Sequence, residues 1–303
     1  MTTQPPSTTV APADEPVARP HWAALSLVCF AYLAATVGEQ VLSPVFPTAA
    51  DDLGLSESAG GIAFGTLAAS IALANLAGGA LLRRHGVARM LTFAAIASTL
   101  GSTLAALAPG FALLVAAQVF LGIGAGFFFP AGLQAVALVA GPSRKGFAMG
   151  IYGVAFSGGL TLAALLGTLG ASQGWRSAFW VSAALSAAAV IVSPTLRVHA
   201  TVSGPSRRVP LRVILGLPTA VGSVGAICQY GAIPFLTTFA VAEWGLSEAG
   251  AAGVLAAGRV ISIVAKLVSG AGADRVGPRA SARSTGLVLV VTGLAWVLLP
   301  GGW

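Results

Sequence analysis

The sequence predicts an all-α polytopic membrane protein, and three observations carry that prediction. Apolar residues make up 56% of the 303-residue chain against 8% charged, at a mean hydropathy of +0.88, a balance that no soluble domain of this length needs to fill one core. The apolar residues gather into runs long enough to cross the roughly 30 Å hydrocarbon layer. Those runs are dominated by Ala and by the 39 Gly, as expected where helices approach through small residues in lipid instead of being driven together by water. Helices are the economical reading, because lipid offers no partner to backbone N–H and C=O groups and the runs lack the dyad alternation of barrel strands.

Taken in order, residues 1–20, with Pro5, Pro6, Pro12, Pro16 and Pro20 among Thr and Ser, cannot bury enough surface to order themselves and read as a disordered cytoplasmic arm. No basic n-region precedes the first apolar stretch, so it reads as a retained span and not as a signal peptide. Nine spans follow, at about 23–47, 60–82, 90–108, 111–140, 147–170, 177–195, 211–241, 249–272 and 284–300. Assigning the loops alternately places thirteen basic residues on one side and only Arg176 on the other. By the positive-inside rule the N-terminus is cytoplasmic and the protein multi-pass in the plasma (inner) membrane. The net charge of +7 sits in those short loops, so it implies no nucleic-acid partner. Cys29 and Cys228 lie inside apolar runs, and His21, His85 and His199 lie at or beyond run ends without ligand spacing, so neither a disulfide framework nor a metal is expected.

A search for self-similarity finds Gly54-Leu55-Ser56-Glu57 again as Gly245-Leu246-Ser247-Glu248, an offset of 191. The same offset carries Gly79 onto Gly270, Arg84 onto Arg275, Gly86 onto Gly277 and Pro109-Gly110 onto Pro300-Gly301. Six spans fall within one period. The organisation expected is therefore a six-helix half at 21–195, a cytoplasmic linker at 196–210, and a second, partial half of three helices at 211–303. Two such halves would be related by an axis along the membrane normal, with a path between them. On this reading the second copy stops at Trp303 before its fourth to sixth helices.

These residues resemble the major facilitator superfamily over essentially all of the chain after residue 20. Gly270, Asp274, Arg275, Gly277 and Arg279 stand in the family's signature pattern after the eighth span. Gly79, Arg84 and Gly86 match it after the second, where Arg83 replaces the usual Asp and Ala88 stands where a base is common. Ser43-Pro44 with Pro47-Thr48, Asp52-Leu53-Gly54-Leu55-Ser56, Gly122-Ile123-Gly124-Ala125-Gly126 and Gly174-Trp175-Arg176 with Phe179 are similar too. The resemblance implies a bundle with a complete N-terminal half, and gate loops whose charge and helix-dipole contacts hold one access state. Plain positive-inside anchoring is the simpler reading of the same basic residues. In the family the first-half loop contacts an eleventh helix, which the nine-span reading does not contain. Gln118 occupies a position usually held by Arg, and 154–170 has no proline, so both of these features depart from proton-coupled drug antiporters.

Polar residues within spans mark the candidate pathway. Arg259 lies near the middle of the eighth span and Lys266 seven residues on, on a shared face. An Arg at a helix centre costs roughly 2.5–3.5 kcal/mol on insertion scales, so it should face a wet cavity or an acidic partner, while Lys266 is close enough to the end to snorkel. Glu39 and Gln40 lie about two thirds along the first span, with Tyr32 on the face of Glu39; a carboxylate there is placed to carry a proton or to bond a neighbouring helix. Gln118, Gln134, Gln229 and Tyr230 are candidate cavity hydrogen-bonders or interhelical contacts, and Asn75 is the offset equivalent of Lys266.

The function expected is secondary active transport of a small solute by alternating access, driven by an ion gradient since no Gly-x-x-x-x-Gly-Lys-Ser/Thr run is present. The basic pair Arg259 and Lys266 points to an organic anion. Proton-coupled drug efflux is the second transport reading, and a non-transporting truncated remnant is the alternative of a different class. No nucleophile, His and carboxylate share a membrane face, so an enzyme is not expected. The partners implied are the lipid bilayer, a small-molecule substrate and, through Glu39, a coupling proton, with no cofactor.

Overall fold

The computed structural model describes residues 22–140 and 144–196, Gly216, and most of 244–291. The described residues are helical, without strands. The helices are α1 Trp22–Gln40, α2 Leu42–Leu53, α3 Glu57–His85, α4 Val87–Ala106, α5 Phe111–Val139, α6 Lys145–Gln173, α7 Trp175–Val192 and α8 Glu248–Val276. Six stretches are long and apolar enough to cross a membrane, namely Trp22–Leu53, Ser58–His85, Val87–Ala106, Phe111–Val139, Lys145–Gly170 and Trp175–Thr195. They match the first six predicted spans. The seventh, 211–241, apart from Gly216, and most of the ninth, 284–300, lie outside the described residues.

The first span is longer than expected and interrupted. It continues past 47 to Leu53, with a turn at Val41 between α1 and α2. Pro44 lies four residues beyond Gln40, where its ring crowds that carbonyl and it has no N–H to donate to it. At the far end the chain closes with a Schellman arrangement. Gly54 takes φ 61° and the amide of Leu55 donates to the carbonyl of Ala50 at 2.8 Å.

Helix α5 is the wedge of the first half. On one face a Cβ at Gly122 would lie 2.7 Å from the Leu67 carbonyl oxygen, and one at Gly126 would lie 2.7 Å from that of Ile71, both on α3. On another face a Cβ at Gly124 would lie 2.9 Å from the Ala94 carbonyl oxygen of α4. The Gly-rich run thus lets two neighbours approach to backbone distance. Two apolar clusters result. One, around Val28, Met90, Leu91 and Phe128, lies toward the end bearing Arg83 and Arg84; the other, around Val41, Leu42, Leu114 and Phe179, lies toward the opposite end.

The offset of 191 reappears in the backbone. Helix α3 runs Glu57–His85 and α8 runs Glu248–Val276, so both bounds shift by that offset. Gly54 and Gly245 have φ of 61° and 62°, and Gly86 and Gly277 have φ of 79° and 86°. Each of the latter reverses the chain in a left-handed conformation that a side chain resists.

Candidate functional site: the seam between α6 and α8

Helices α6 and α8 run antiparallel along a seam of small residues. A Cβ on Gly146 would fall on the carbonyl oxygen of Gly270, and the reverse also holds. A Cβ on Gly150 would lie 2.9 Å from the Lys266 carbonyl oxygen, and one on Gly153 would lie 3.0 Å from the Lys266 side chain. This seam joins the six-helix part of the chain to the second copy of the repeat.

At the basic-loop end the seam is tied by Asp274. Its two carboxylate oxygens accept hydrogen bonds from the amides of Gly146 and Phe147, each at 2.7 Å. These are the second and third residues of α6, whose own N-cap, Arg144, makes no side-chain capping bond. Asp274 therefore satisfies two orphan donors and sets a negative charge on the positive end of the helix dipole. Gly270 and Asp274 are not in a loop as the signature pattern suggested. Both lie in the last two turns of α8, and the turn itself is Gly277. Gly79 is likewise inside α3, with Gly86 the turn. Arg83, Arg84, Arg275 and Arg279 are exposed. Arg83 stands at the offset equivalent of Asp274; having only donors, it cannot cap a helix N-terminus. The two signature regions are thus chemically unequal.

Two turns deeper, Lys266 reaches from α8 to α6. Its Nζ donates to Ser157 Oγ at 2.5 Å and lies 5.0 Å from the ring centroid of Phe156. Phe156 in turn stacks on Tyr32 of α1 at 5.6 Å. Tyr32 also stacks on Phe128 at 5.1 Å and on Tyr152 at 4.1 Å, with Phe129 edge-on at 6.4 Å. Tyr32 and Lys266, singled out separately in the sequence, thus share Phe156 as a neighbour. The residues that link them, Tyr152, Phe156 and Ser157, were missed, because an aromatic or hydroxyl on an apolar helix gives no signal until its neighbours are known.

The other expected residues are dispersed. Glu39 is buried on α1 and accepts from Gln40 Nε2 at 2.8 Å. Gln118 is fully buried on α5, and neither amide atom has a hydrogen-bond partner among the described residues. Gln134 and Asn75 are half-buried. Gln229 and Tyr230 lie outside the described residues, and of Arg259 only the helical backbone position on α8 is described.

At the opposite end, three separately noted segments meet. Arg176 donates to Asp52 Oδ2 at 2.6 Å and to the Ala108 carbonyl at 2.8 Å, and lies 4.4 Å over the Trp175 ring; Trp175 Nε1 donates to the same Asp52 oxygen at 3.0 Å. The 32-residue stretch Trp22–Leu53 is about 48 Å long at 1.5 Å per residue, more than the roughly 30 Å hydrocarbon layer, and Asp52 is exposed in its last turn. The bonds from Trp175 and then Arg176 hold the Asp52 carboxyl below its ordinary value of 3.8.

Comparison with known proteins agrees with this architecture. The chain is 28% identical over 163 residues to a probable sulfoacetate transporter, SauU, of Cupriavidus necator, a match covering 54% of this chain and 38% of that protein. It is 28% identical over 214 residues to the 3-(3-hydroxy-phenyl)propionate transporter of Escherichia coli, covering 67% and 53%. The chain thus spans about half the length, or less, of these curated relatives. Among solved structures, a bacterial homologue of the human lysosomal transporter Spinster, in an inward-facing and unoccupied conformation, shares the fold at a TM-score of 0.58 and 20% identity, over 85% of this chain and 63% of the other. The sequence profile of the Major Facilitator Superfamily matches residues 28–303, and the chain belongs to that family.

Proposed function

We propose that this chain serves in a secondary transporter of a small organic anion, working by alternating access between its two repeat units in a plasma membrane, with the N-terminus cytoplasmic. The observation that carries the reading is Lys266, a cation in the interior of α8 on the seam between the units, where it donates to Ser157 and lies over the Phe156 ring. A charge within a membrane helix is costly unless it serves a pathway or a partner. Arg259 lies two turns along the same helix, which extends the basic stripe. The names of the two curated relatives specify acids that are anionic at neutral pH, which supports the same class. Asp274 on the N-terminus of α6 supplies a contact that must break if the basic-loop end is to open, which fits a gate. Buried Glu39 is the group best placed to couple a proton.

The test is uptake of radiolabelled phenylacetate into proteoliposomes holding the full chain, with and without an imposed proton gradient. Lys266→Gln is expected to lower uptake about tenfold or more, as loss of one charge-assisted contact implies. Glu39→Gln should abolish the response to the gradient while leaving binding intact. Unchanged uptake in Lys266→Gln would remove the anion reading.

A further inference from the structure

We infer that the anion recognised at Lys266 carries an aromatic ring, so that the ligand class is an aryl carboxylate and not a small aliphatic acid. The inference deepens the anion reading and rests on it. Among the described residues Lys266 makes a polar and an aromatic contact across the seam, and they differ in kind. One is polar, to Ser157 Oγ at 2.5 Å, with Ser157 itself fully buried; the other is the Phe156 ring at 5.0 Å.

An anion that draws the ammonium away from α6 replaces the hydroxyl contact, since a carboxylate is the stronger acceptor. It also uncovers the face of Phe156. A saturated or very small anion leaves that face without a partner, whereas an arene attached to the carboxylate stacks on it. The surroundings extend the same chemistry. Phe156 stacks on Tyr32, which also stacks on Tyr152 and Phe128, and Phe129 on α5, 39% exposed, is edge-on to Tyr32. A ring entering beside Lys266 therefore meets the face of Phe156, which its stacking on Tyr32 holds in place. The seam offers a ligand an ammonium and an aromatic wall from opposite helices, which an aryl carboxylate uses together and a plain carboxylate uses only in part.

The experiment compares phenylacetate with cyclohexylacetate, which have equal charge and similar size but differ in the π-system, binding to the full chain in lipid nanodiscs by calorimetry. The wild type is expected to bind phenylacetate about three- to tenfold more tightly, the range that an aromatic pair adds beyond its buried area. Phe156→Leu should bring the two affinities together, Phe156→Tyr should retain the preference, and Lys266→Gln should weaken both ligands. Equal affinities in the wild type, with both weakened by Lys266→Gln, would overturn the aromatic inference and leave the anion reading standing. Binding of neither acid, or of both unaffected by Lys266→Gln, would overturn the anion reading and this inference with it. The wild-type comparison decides the matter even if a Phe156 variant does not fold.

Discussion

Asp52 and Asp274 are both carboxylates at helix ends that join distant segments, yet one meets side chains and the other meets backbone. For Asp52, the bonds from Trp175 and Arg176 lower its folded pKa, so its contribution is complete above the ordinary value and is lost as pH falls through the folded one. The difference in melting temperature between wild type and Asp52→Asn should accordingly be steady from pH 7 to pH 5 and close below 3.8. A difference that persists unchanged at lower pH would exclude the carboxylate as its source. The pair is exposed and screened, so the shift itself should be small. Asp274 accepts from two amides that have no other cap. Asp274→Ala should lower stability by about 1 kcal/mol, the scale of a helix cap, measured by thermal melting in detergent, with Asp274→Asn intermediate. The sequence pattern marked Asp274 and Asp52 as notable but could not name their partners, 128 and 124 residues away. Hydrogen-bond geometry between distant segments has no local trace in the chain.

At the level of the element, two seams depend on the absence of side chains. In α5 the Gly122, Gly124 and Gly126 run reads in the sequence as a motif; its placement against α3 and α4 on different faces explains why small residues alternate there. Between α6 and α8, Gly146 and Gly270 meet at backbone contact. Replacing Gly270 with Leu must separate the helices, because a bulky group cannot share the space of the Gly146 carbonyl. The expected result is a longer distance between spin labels at Met149 and Ala271 by several ångströms, measured by electron spin echo against the wild type. An unchanged distance would show that the seam does not depend on small residues. Hydropathy gave the spans to within a few residues, but it missed the break at Val41, because Pro44 acts through the backbone and leaves the apolar run intact.

For the whole molecule, the repeat offset links sequence to backbone: α3 and α8 share bounds, and the two pairs of left-handed glycines recur at the same spacing. The units are nevertheless not equivalent in chemistry, since Arg83 stands where its counterpart Asp274 caps a helix. Orientation is a property of the whole chain, and topology mapping tests it. Reporter fusions after Arg84 and Lys145 should score cytoplasmic and a fusion at Pro109 external; a split between the first two would reject the positive-inside assignment. The sequence by itself determined the helical class, the first six spans, the repeat and the family, because these depend on composition and periodicity summed along the chain. Only the tertiary structure decided that Lys266 lies against Phe156 and Ser157, that Asp274 closes α6, and that Gln118 is enclosed. Such pairings depend on the rotation and depth of one helix against another, which are set by packing and not by any one helix's own residues.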